Sequence, residues 1–318
     1  MAWTTEAVRV RVPATSANLG PGFDALGLAL SLHDEVDARV CASGLSIEIS
    51  GEGADLAGAG EDHLIVRVMR AVFAAVGGQP PGLGLRCVNR IPHGRGLGSS
   101  AAATVAGILA ARALAPAGED ALPVGALLGL ATEFEGHPDN VAACLGGGLT
   151  IAWTAGGQPR MVRLEPRSSI RPVICVGPAP VRTEVARKLL PGQVPHRDAA
   201  ANAGRSALLV AALTQPSGEP APLLAATRDW LHQDYRAEAM PETAALTGRL
   251  RSAGLPAVVS GAGPSVLVLL DAAGESEYRH HLDSLGSIVR ETGIAWHVSS
   301  LDVERQGARI LLPEPPSG

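Results

Sequence analysis

The chain has 318 residues, of which 46% are hydrophobic and 18% charged, a composition that supplies a buried core and differs from that of disordered chains. The formal net charge is −5, Lys188 is the only lysine, and no basic stripe with interleaved aromatic residues is present, which argues against nucleic acid as a partner. No run reaches the ~18 apolar residues of a membrane helix, and residues 1–12 lack the apolar stretch of a signal peptide. We therefore expect a soluble, cytoplasmic protein.

The first half of the chain predicts strands and helices in mixed order, from its alternating and its helical apolar patterns. Strands are expected at 8–12, 28–40, 45–50, 83–90 and 149–153, and helices at 63–76, 99–114 and 123–134. Loops are expected at 13–21, at the glycine-rich segment 92–98 and at the polar turn 136–140.

The segment 155–172 contains Gly156, Gly157 and Pro159 and has the composition of a boundary. After it, strands are expected at 173–176, 257–260, 266–270 and 295–300, and helices at 183–190, 198–213, 223–231, 241–253 and 275–291. The sequence thus predicts an α+β chain in two halves, 1–165 and 166–318.

The four cysteines form no CxxC pair, and no histidine lies near them at the spacing of a zinc finger. They are Cys41, Cys87, Cys144 and Cys175. Buried, reduced thiols are the simplest interpretation, and they suit the cytoplasm.

The glycine-rich segment 92–103, PHGRGLGSSAAA, is the strongest signal for a function. A glycine-rich turn directly before a helix presents unpaired backbone N–H groups at the positive end of the helix dipole, and such a turn binds phosphate. The residues expected at the phosphates are Pro92, Gly94, Gly96, Leu97, Gly98, Ser99, Ser100 and Ala101. The segment is no Walker A loop, because no lysine follows the glycines, and the absence of GxSxG argues against a serine hydrolase.

Three motifs in chain order resemble those of the GHMP kinases, which phosphorylate small molecules with ATP. The first resembles the substrate motif of the homoserine kinase branch and reads PATSANLGPGFD at 13–24. The second is the pattern PxxxGLGSSA at 92–101, and the third is SGAGPS at 260–265, where Gly261 and Gly263 are expected near the phosphates.

The segment 135–140, EGHPDN, resembles the homoserine kinase form of the loop that holds the acceptor hydroxyl. Asn140 can orient a hydroxyl but cannot take its proton at neutral pH, and phosphoryl transfer depends mainly on positioning and on neutralisation of charge. Asp139 is either a weak base or a structural partner, and we interpret His137 as a brace of the turn.

The resemblance also implies a site for an α-amino acid, which needs a carboxylate near its ammonium and arginine near its carboxylate. Asn18 and Asp24 resemble the contacts on the amine side. The segment 183–191, with Thr183 and Arg187, and the later Arg236 resemble the segments that bind the substrate carboxylate.

Mg²⁺ would take few ligands from the protein, and Ser100 and Glu135 are the candidates. Glu133 is the alternative to Glu135; two residues apart on a helix, these side chains point about 200° from each other, so only one can face the site. Elsewhere, His93 and Arg95 could contact phosphate. We interpret four further histidines as surface residues without a role in the site: His196, His232, His280 and His281.

The resemblance implies a two-domain GHMP kinase fold, with an N-terminal ATP-binding domain at 1–165 and a C-terminal ferredoxin-like domain at 166–318. It implies ATP, Mg²⁺ and L-homoserine as ligands, a place in threonine biosynthesis and, by analogy, a homodimer. Two alternatives remain open: a GHMP kinase for another alcohol, of the mevalonate or shikimate type, and a non-catalytic ATP-binding regulator of the same fold.

Overall fold

A computed structural model of the chain describes residues 3, 4, 6–116, 118–181, 183–215 and 222–311. Its strands are β1 (Val8–Ala17), β2 (Leu26–Cys41), β3 (Gly44–Gly51), β4 (Gly82–Asn89), β5 (Leu149–Ala155), β6 (Gln158–Leu164), β7 (Ile170–Val176), β8 (Ala257–Val259), β9 (Val266–Asp271), β10 (His297–Ser300) and β11 (Arg309–Leu311). Its helices are α1 (Leu64–Ala75), α2 (Ser99–Leu114), α3 (Gly118–Ala121), α4 (Val124–Glu135), α5 (Asp139–Gly146), α6 (Thr183–Lys188), α7 (His196–Thr214), α8 (Leu223–Ala226), α9 (Gln233–Arg236), α10 (Pro241–Ser252) and α11 (Glu275–Glu291), with 3-10 helices at Ala54–Asp62 and Ala237–Ala239.

The larger sheet has the strand order β11-β1-β2-β4-β3, and β5 pairs with both β2 and β6. Its pairs are antiparallel except for the parallel pair of β3 and β4. Alternation in β1 directs Val10 and Val12 into the core and leaves Arg9 and Arg11 on the other face. The 16-residue β2 is long enough to pair with β4 through its second half and with β5 through its first residues.

Helix α2 packs closely against this sheet because its buried face consists largely of small side chains. Ala101, Ala102, Ala106 and Ala110 are fully buried, and α1 lies beside them. The first turn of α2 is thereby fixed at the end of the sheet where the site described below is built.

The smaller sheet has the order β10-β7-β9-β8, with antiparallel pairs. In β9, Val266, Val268 and Leu270 belong to an apolar cluster that includes residues of α10 and α11, whereas Leu267 and Leu269 belong to the core of the larger sheet. Because both faces of this strand are covered, it is apolar throughout, which is the pattern of a fully buried strand.

The segment after β10 returns to the larger sheet. The N–H of Glu304 donates to the carbonyl of Ala29 (3.0 Å), the N–H of Ala308 donates to that of Cys144 (2.7 Å), and β11 pairs with β1. The division of the chain near residue 165 stays a prediction.

Most expected elements are present, and the differences have local causes. The expected loop at 13–21 is wrong in its first part, because β1 continues to Ala17 through a register shift at Pro13. The expected boundary 155–172 contains β6 and the start of β7, and the turn 136–140 contains the start of α5. The expected helix 223–231 ends at Ala226, and the last described strand is β11. No helix in the described part of the chain is long and apolar enough to cross a membrane.

Candidate active site

A polar cavity of about 160 Å³ lies at the first turn of α2, where loops from both halves of the chain meet. Its lining residues are Ala17, Asn18, Asp24, Gly94, Gly96, Gly98, Ser99, Ser100, Glu135, His137, Asp139, Asn140, Val181, Thr183, Arg187, Arg236, Gly261 and Ala262. We call it the cleft. Each of the three motifs singled out from the sequence contributes to it.

The glycine-rich loop reaches the cleft with Gly94, Gly96 and Gly98 in left-handed conformations. Gly98 ends the loop at φ 68° as the N-cap of α2, and no side chain caps this helix. A Cβ on Gly98 would lie 2.0 Å from Thr15 Oγ1, so only glycine fits there. Free N–H groups at the start of α2 make this loop suitable for an anion.

The second glycine loop packs directly on the first. A Cβ on Gly96 would lie 2.2 Å from the carbonyl oxygen of Ser260. The hydroxyl of Ser260 donates to the carbonyl of Gly96 (2.7 Å), and the N–H of Gly261 donates to the carbonyl of Ala17 (3.1 Å). The loops 92–98 and 260–265, more than 160 residues apart in sequence, therefore form one wall of the cleft.

The loop after β1 carries Asn18 and Asp24, which both have positive φ values (68° and 53°). Asn18 holds this strained loop together, since its Nδ2 donates to the carbonyl of Gly261 (2.8 Å) and its Oδ1 accepts from the N–H of Asp24 (3.0 Å). Both side-chain atoms of Asn18 are thus engaged within the protein.

Asp24 is paired with Arg187 in the cleft. The Nη1 and Nη2 atoms of Arg187 donate to the two carboxylate oxygens of Asp24 at 2.9 and 2.8 Å, the geometry of a bidentate pair. Asp24 raises the pKa of Arg187, chiefly through these hydrogen bonds.

Arg236 is the second cation of the cleft, and it is 2% exposed. No carboxylate of the described residues lies within ion-pair distance of it: Nη1 donates to the carbonyl of Gly261 and to Nδ1 of His232 (both 3.2 Å), and Nε is buried without a partner. Burial, followed by the charge of Arg187, lowers the pKa of Arg236.

The turn between α4 and α5 is organised by Asp139, which is 2% exposed. Its Oδ1 accepts from Nδ1 of His137 and from the N–H of Asn140 (both 2.7 Å), and the hydrogen bond to Asp139 raises the pKa of His137. The hydroxyl of Thr15 donates to Oδ1 of Asn140 (2.8 Å), which leaves Nδ2 of Asn140 without a partner among the described residues.

Hard oxygen atoms collect beside the first turn of α2. The hydroxyl of Ser100 donates to Oε1 of Glu135 at 2.5 Å, and that of Thr104 reaches the same atom at 3.3 Å. Glu133 is exposed and does not line the cleft. Within the described ranges no group of three or more His, Cys, Asp or Glu side chains could hold a metal ion, a result compatible with a Mg²⁺ site in which phosphates and water supply most ligands.

An apolar pocket of about 400 Å³ adjoins the cleft and shares Ser99 and Ser100 with it. Its other walls are formed by Val12, Asp34, Val36, Leu56, Ala59, Asp62, His63, Leu64, Ile65, Asn89, His93, Ala103 and Ala106. Sequence reasoning missed this pocket, because its residues come from five separate segments that share no short motif.

Some predicted residues lie outside the cleft. The side chains of Leu97 and Ala101 are buried in the core, so only their backbone atoms could contact a phosphate, and Pro92 and Gly263 do not line the cavity. Arg95 points away from the cleft and donates to the carbonyls of Gly177 and Pro178. The interpretation of His232 as a surface residue is wrong, since it is fully buried behind Arg236.

Family models match both halves of the chain: "GHMP kinases N terminal domain" over residues 63–148 and "GHMP kinases C terminal" over residues 209–292. Among curated proteins, the chain is 57% identical to the homoserine kinase of Streptomyces coelicolor, covering 98% of this chain and 96% of that protein. It is 49% identical to the homoserine kinase of Clavibacter michiganensis subsp. michiganensis, in a match that covers 96% of this chain and 95% of that protein.

Solved structures agree with these matches. The crystal structure of homoserine kinase from Cytophaga hutchinsonii superposes with a TM-score of 0.80 at 27% identity, covering 98% of this chain and 99% of that one. A D-glycero-D-manno-heptose 1-phosphate kinase superposes with a TM-score of 0.63 at 14% identity, which supports the fold alone. From its two family-model matches and its full-length relatives, the chain belongs to the GHMP kinase family.

Proposed function

We propose that the chain is a homoserine kinase, which transfers the γ-phosphoryl group of ATP to the side-chain hydroxyl of L-homoserine and so makes O-phospho-L-homoserine for threonine biosynthesis. Two full-length relatives at 57% and 49% identity carry this name. The observation that carries the proposal is a set of three charged groups in the cleft, the carboxylate of Asp24 and the guanidinium groups of Arg187 and Arg236, which lie beside the glycine-rich loop.

The charge set suits a zwitterionic amino acid. In the cleft Asp24 neutralises Arg187, whereas Arg236 has no anionic partner among the described residues. An incoming ammonium group would bind Asp24, and the α-carboxylate would bind Arg236 together with the released Arg187. Asp24, Arg187 and Arg236 would then each have a partner of opposite charge, whereas a neutral alcohol would leave Arg236 without one.

Asn140 would hold the acceptor hydroxyl. Thr15 fixes the orientation of its amide, so that Nδ2 is free to donate to the oxygen of the substrate. Asp139 is already bonded to His137 and to the backbone of Asn140, which favours a bracing role over that of a base. A strong base is not required, because phosphoryl transfer depends mainly on positioning and charge.

ATP would span the cleft and the apolar pocket. Its phosphates would lie on Gly96, Gly98, Ser99, Ser100 and Gly261, and its adenine would occupy the apolar pocket. Ser100 and Glu135 would hold Mg²⁺, which would supply positive charge to the transferring phosphoryl group.

We also propose a cytoplasmic location. The four cysteines are unpaired, and burial raises the pKa of Cys87 and of Cys175 to about 12, as for inert structural thiols in a reducing compartment. The homodimer suggested by analogy stays a prediction.

The proposal is tested by ADP release from the purified chain with Mg-ATP and a panel of acceptors: L-homoserine, mevalonate, shikimate, galactose and L-serine. Turnover restricted to L-homoserine is expected. Turnover with another alcohol would keep the family and reject the amino-acid site. ATP binding without turnover of any acceptor would favour a non-catalytic regulator.

A further inference from the structure

His232 lies at the centre of a buried contact network that joins three parts of the cleft wall. Its side chain is 0% exposed, and its ring stacks on that of Phe23 with centroids 5.2 Å apart. Its Nε2 lies 2.8 Å from the carbonyl oxygen of Gly20, and its Nδ1 lies 3.2 Å from Nη1 of Arg236. One imidazole therefore contacts both the loop that carries Asp24 and the side chain of Arg236.

The partners of the ring define its tautomer. The carbonyl of Gly20 can only accept a hydrogen bond, so Nε2 carries the proton, and Nδ1 of a neutral ring is then the acceptor for Arg236. Burial lowers the pKa of His232, against the raising effect of Asp229 at 3.7 Å, which agrees with a neutral ring. A ring protonated on both nitrogens would direct an N–H at a guanidinium.

The position of the ring is itself fixed by Asp229. The carboxylate of this buried residue accepts from the N–H groups of Leu231 (2.9 Å), His232 (3.0 Å) and Gln233 (2.7 Å), and so defines the start of α9. His232 is the N-cap residue just before α9 and Arg236 is the last residue of that helix, and the N–H of Arg236 donates to the carbonyl of His232 (3.1 Å).

We propose that His232 is a positioning residue, which accepts a hydrogen bond from Arg236 and thereby holds the guanidinium in the orientation that receives the substrate carboxylate. The inference rests on the proposed function, since it assigns Arg236 to the carboxylate of the amino-acid substrate. Without this contact, the only side-chain hydrogen bond of Arg236 within the described residues would be the one to the carbonyl of Gly261.

Two substitutions separate the contacts of the ring. In His232→Asn, the amide oxygen replaces Nδ1 and keeps an acceptor for Arg236; in His232→Gln, the amide reaches the place of Nε2 and leaves Arg236 without that acceptor. Since a hydrogen bond to a charged group is among the stronger ones, we expect kcat/KM for L-homoserine to be at least about tenfold lower in His232→Gln than in His232→Asn. The KM for ATP should be the same in both.

The Arg236→Lys background shows whether His232 acts through Arg236. There the two His232 variants should have equal kcat/KM values for L-homoserine. His33→Asn is the matched control, because His33 is a buried histidine bonded to Glu304 outside the cleft, and its kcat/KM should equal that of the unchanged chain. Equal values for the two His232 variants in the otherwise unchanged chain, or a tenfold difference that persists in the Arg236→Lys background, would overturn the inference.

A second measurement uses the unchanged chain, so it does not depend on whether a His232 variant folds. In ¹⁵N-imidazole spectra of the unchanged chain, Nδ1 of His232 should be unprotonated, and its signal should shift when L-homoserine is added. A protonated Nδ1 would overturn the inference. Failure of the proposed function is a separate result, the absence of L-homoserine turnover by the unchanged chain.

Discussion

Asn140 has only one of its amide ends committed, and this sets what it can do at the cleft. Thr15 donates to Oδ1, so the donor Nδ2 is the end available to an acceptor hydroxyl. The same hydroxyl of Thr15 lies 2.0 Å from the position that a Cβ on Gly98 would take, so Thr15 connects Asn140 to the glycine-rich loop. If the proposed roles hold, Thr15 and Asn140 together would set the orientation of the acceptor hydroxyl relative to the glycine-rich loop.

We expect Asn140→Ala to lower kcat for L-homoserine by about a hundredfold, the usual cost of removing one preorganised donor at a reacting oxygen, with little change in KM. Steady-state kinetics measure both values. Thr15→Val is the companion variant: it leaves the amide in place but free to rotate, so its kcat should fall less. Unchanged kcat in Asn140→Ala would remove this residue from the site.

Glu135 and Glu133 form a natural pair of test and control, because they are neighbours on α4 and only Glu135 lines the cleft. We expect Glu135→Gln to raise the Mg²⁺ concentration needed for half-maximal turnover about tenfold or more, since a carboxylate is replaced by a neutral ligand. Mg²⁺ titrations of activity measure this. A larger shift in Glu133→Gln than in Glu135→Gln would reverse the assignment.

The turn between α4 and α5 is an element whose stability should depend on pH. Within this turn, the hydrogen bond between His137 and Asp139 raises the pKa of His137 in the folded chain. The pair therefore stabilises the fold fully at a pH below the pKa of histidine in the unfolded chain, about 6.5, and this contribution is lost as the pH rises through the pKa in the folded chain. We expect the free energy of unfolding of the unchanged chain to exceed that of His137→Asn by more at pH 6 than at pH 9.

Urea unfolding across pH 5 to 9 measures this difference. His33→Asn is expected to show the opposite pH dependence, because burial lowers the pKa of His33 in the folded chain. The neutral ring is favoured there, so the stability difference between the unchanged chain and His33→Asn should grow as the pH rises through the titration range of His33. A difference for His137→Asn that is constant or grows toward alkaline pH would contradict the account of this turn.

Arg95 connects two elements of the cleft that come from different halves of the chain. Its guanidinium donates from the glycine-rich loop to the carbonyls of Gly177 (2.9 Å) and Pro178 (2.7 Å), which precede α6, the helix that carries Thr183 and Arg187. In Arg95→Ala we expect faster hydrogen exchange in residues 177–188 and higher KM values for both ATP and L-homoserine, by about threefold to tenfold. Hydrogen-exchange mass spectrometry and kinetics measure these effects.

Arg160→Ala is the control for Arg95→Ala, since Arg160 is an exposed arginine on β6 that does not line the cleft. We expect Arg160→Ala to change neither hydrogen exchange in residues 177–188 nor the KM values for ATP and L-homoserine. Unchanged exchange in residues 177–188 of Arg95→Ala would contradict a coupling of the two elements by this side chain.

Elements with regular apolar patterns were predictable, and those without them were not. The bounds 99–114 and 275–291 agree with α2 and α11 because each segment has clear end signals or a clear apolar stripe. Strand β6 was missed because most of its side chains are exposed, so it has no buried face to mark it. The burial of His232 depends on Phe23 and Gly20, more than 200 residues earlier, and no local pattern reports such a contact.

At the scale of the whole molecule, membership of the GHMP kinase family and the α+β two-domain fold are confirmed predictions. Both depend on short motifs whose glycines are required by local backbone geometry, as at Gly96 and Gly98. The apolar pocket and the network behind Arg236 arise only when distant segments meet. The roles of the individual residues in the cleft stay predictions.

The central claim is that the cleft recognises an amino acid by both of its charges. The most direct test compares kcat/KM for L-homoserine with those for 4-hydroxybutyrate, which lacks the ammonium group, and 3-amino-1-propanol, which lacks the carboxylate. Because 4-hydroxybutyrate cannot bind Asp24 and 3-amino-1-propanol cannot bind the two guanidinium groups, each analogue loses the contacts of one substrate charge, and we expect both values to be lower by at least about a hundredfold. An analogue that is phosphorylated as efficiently as L-homoserine would contradict the claim.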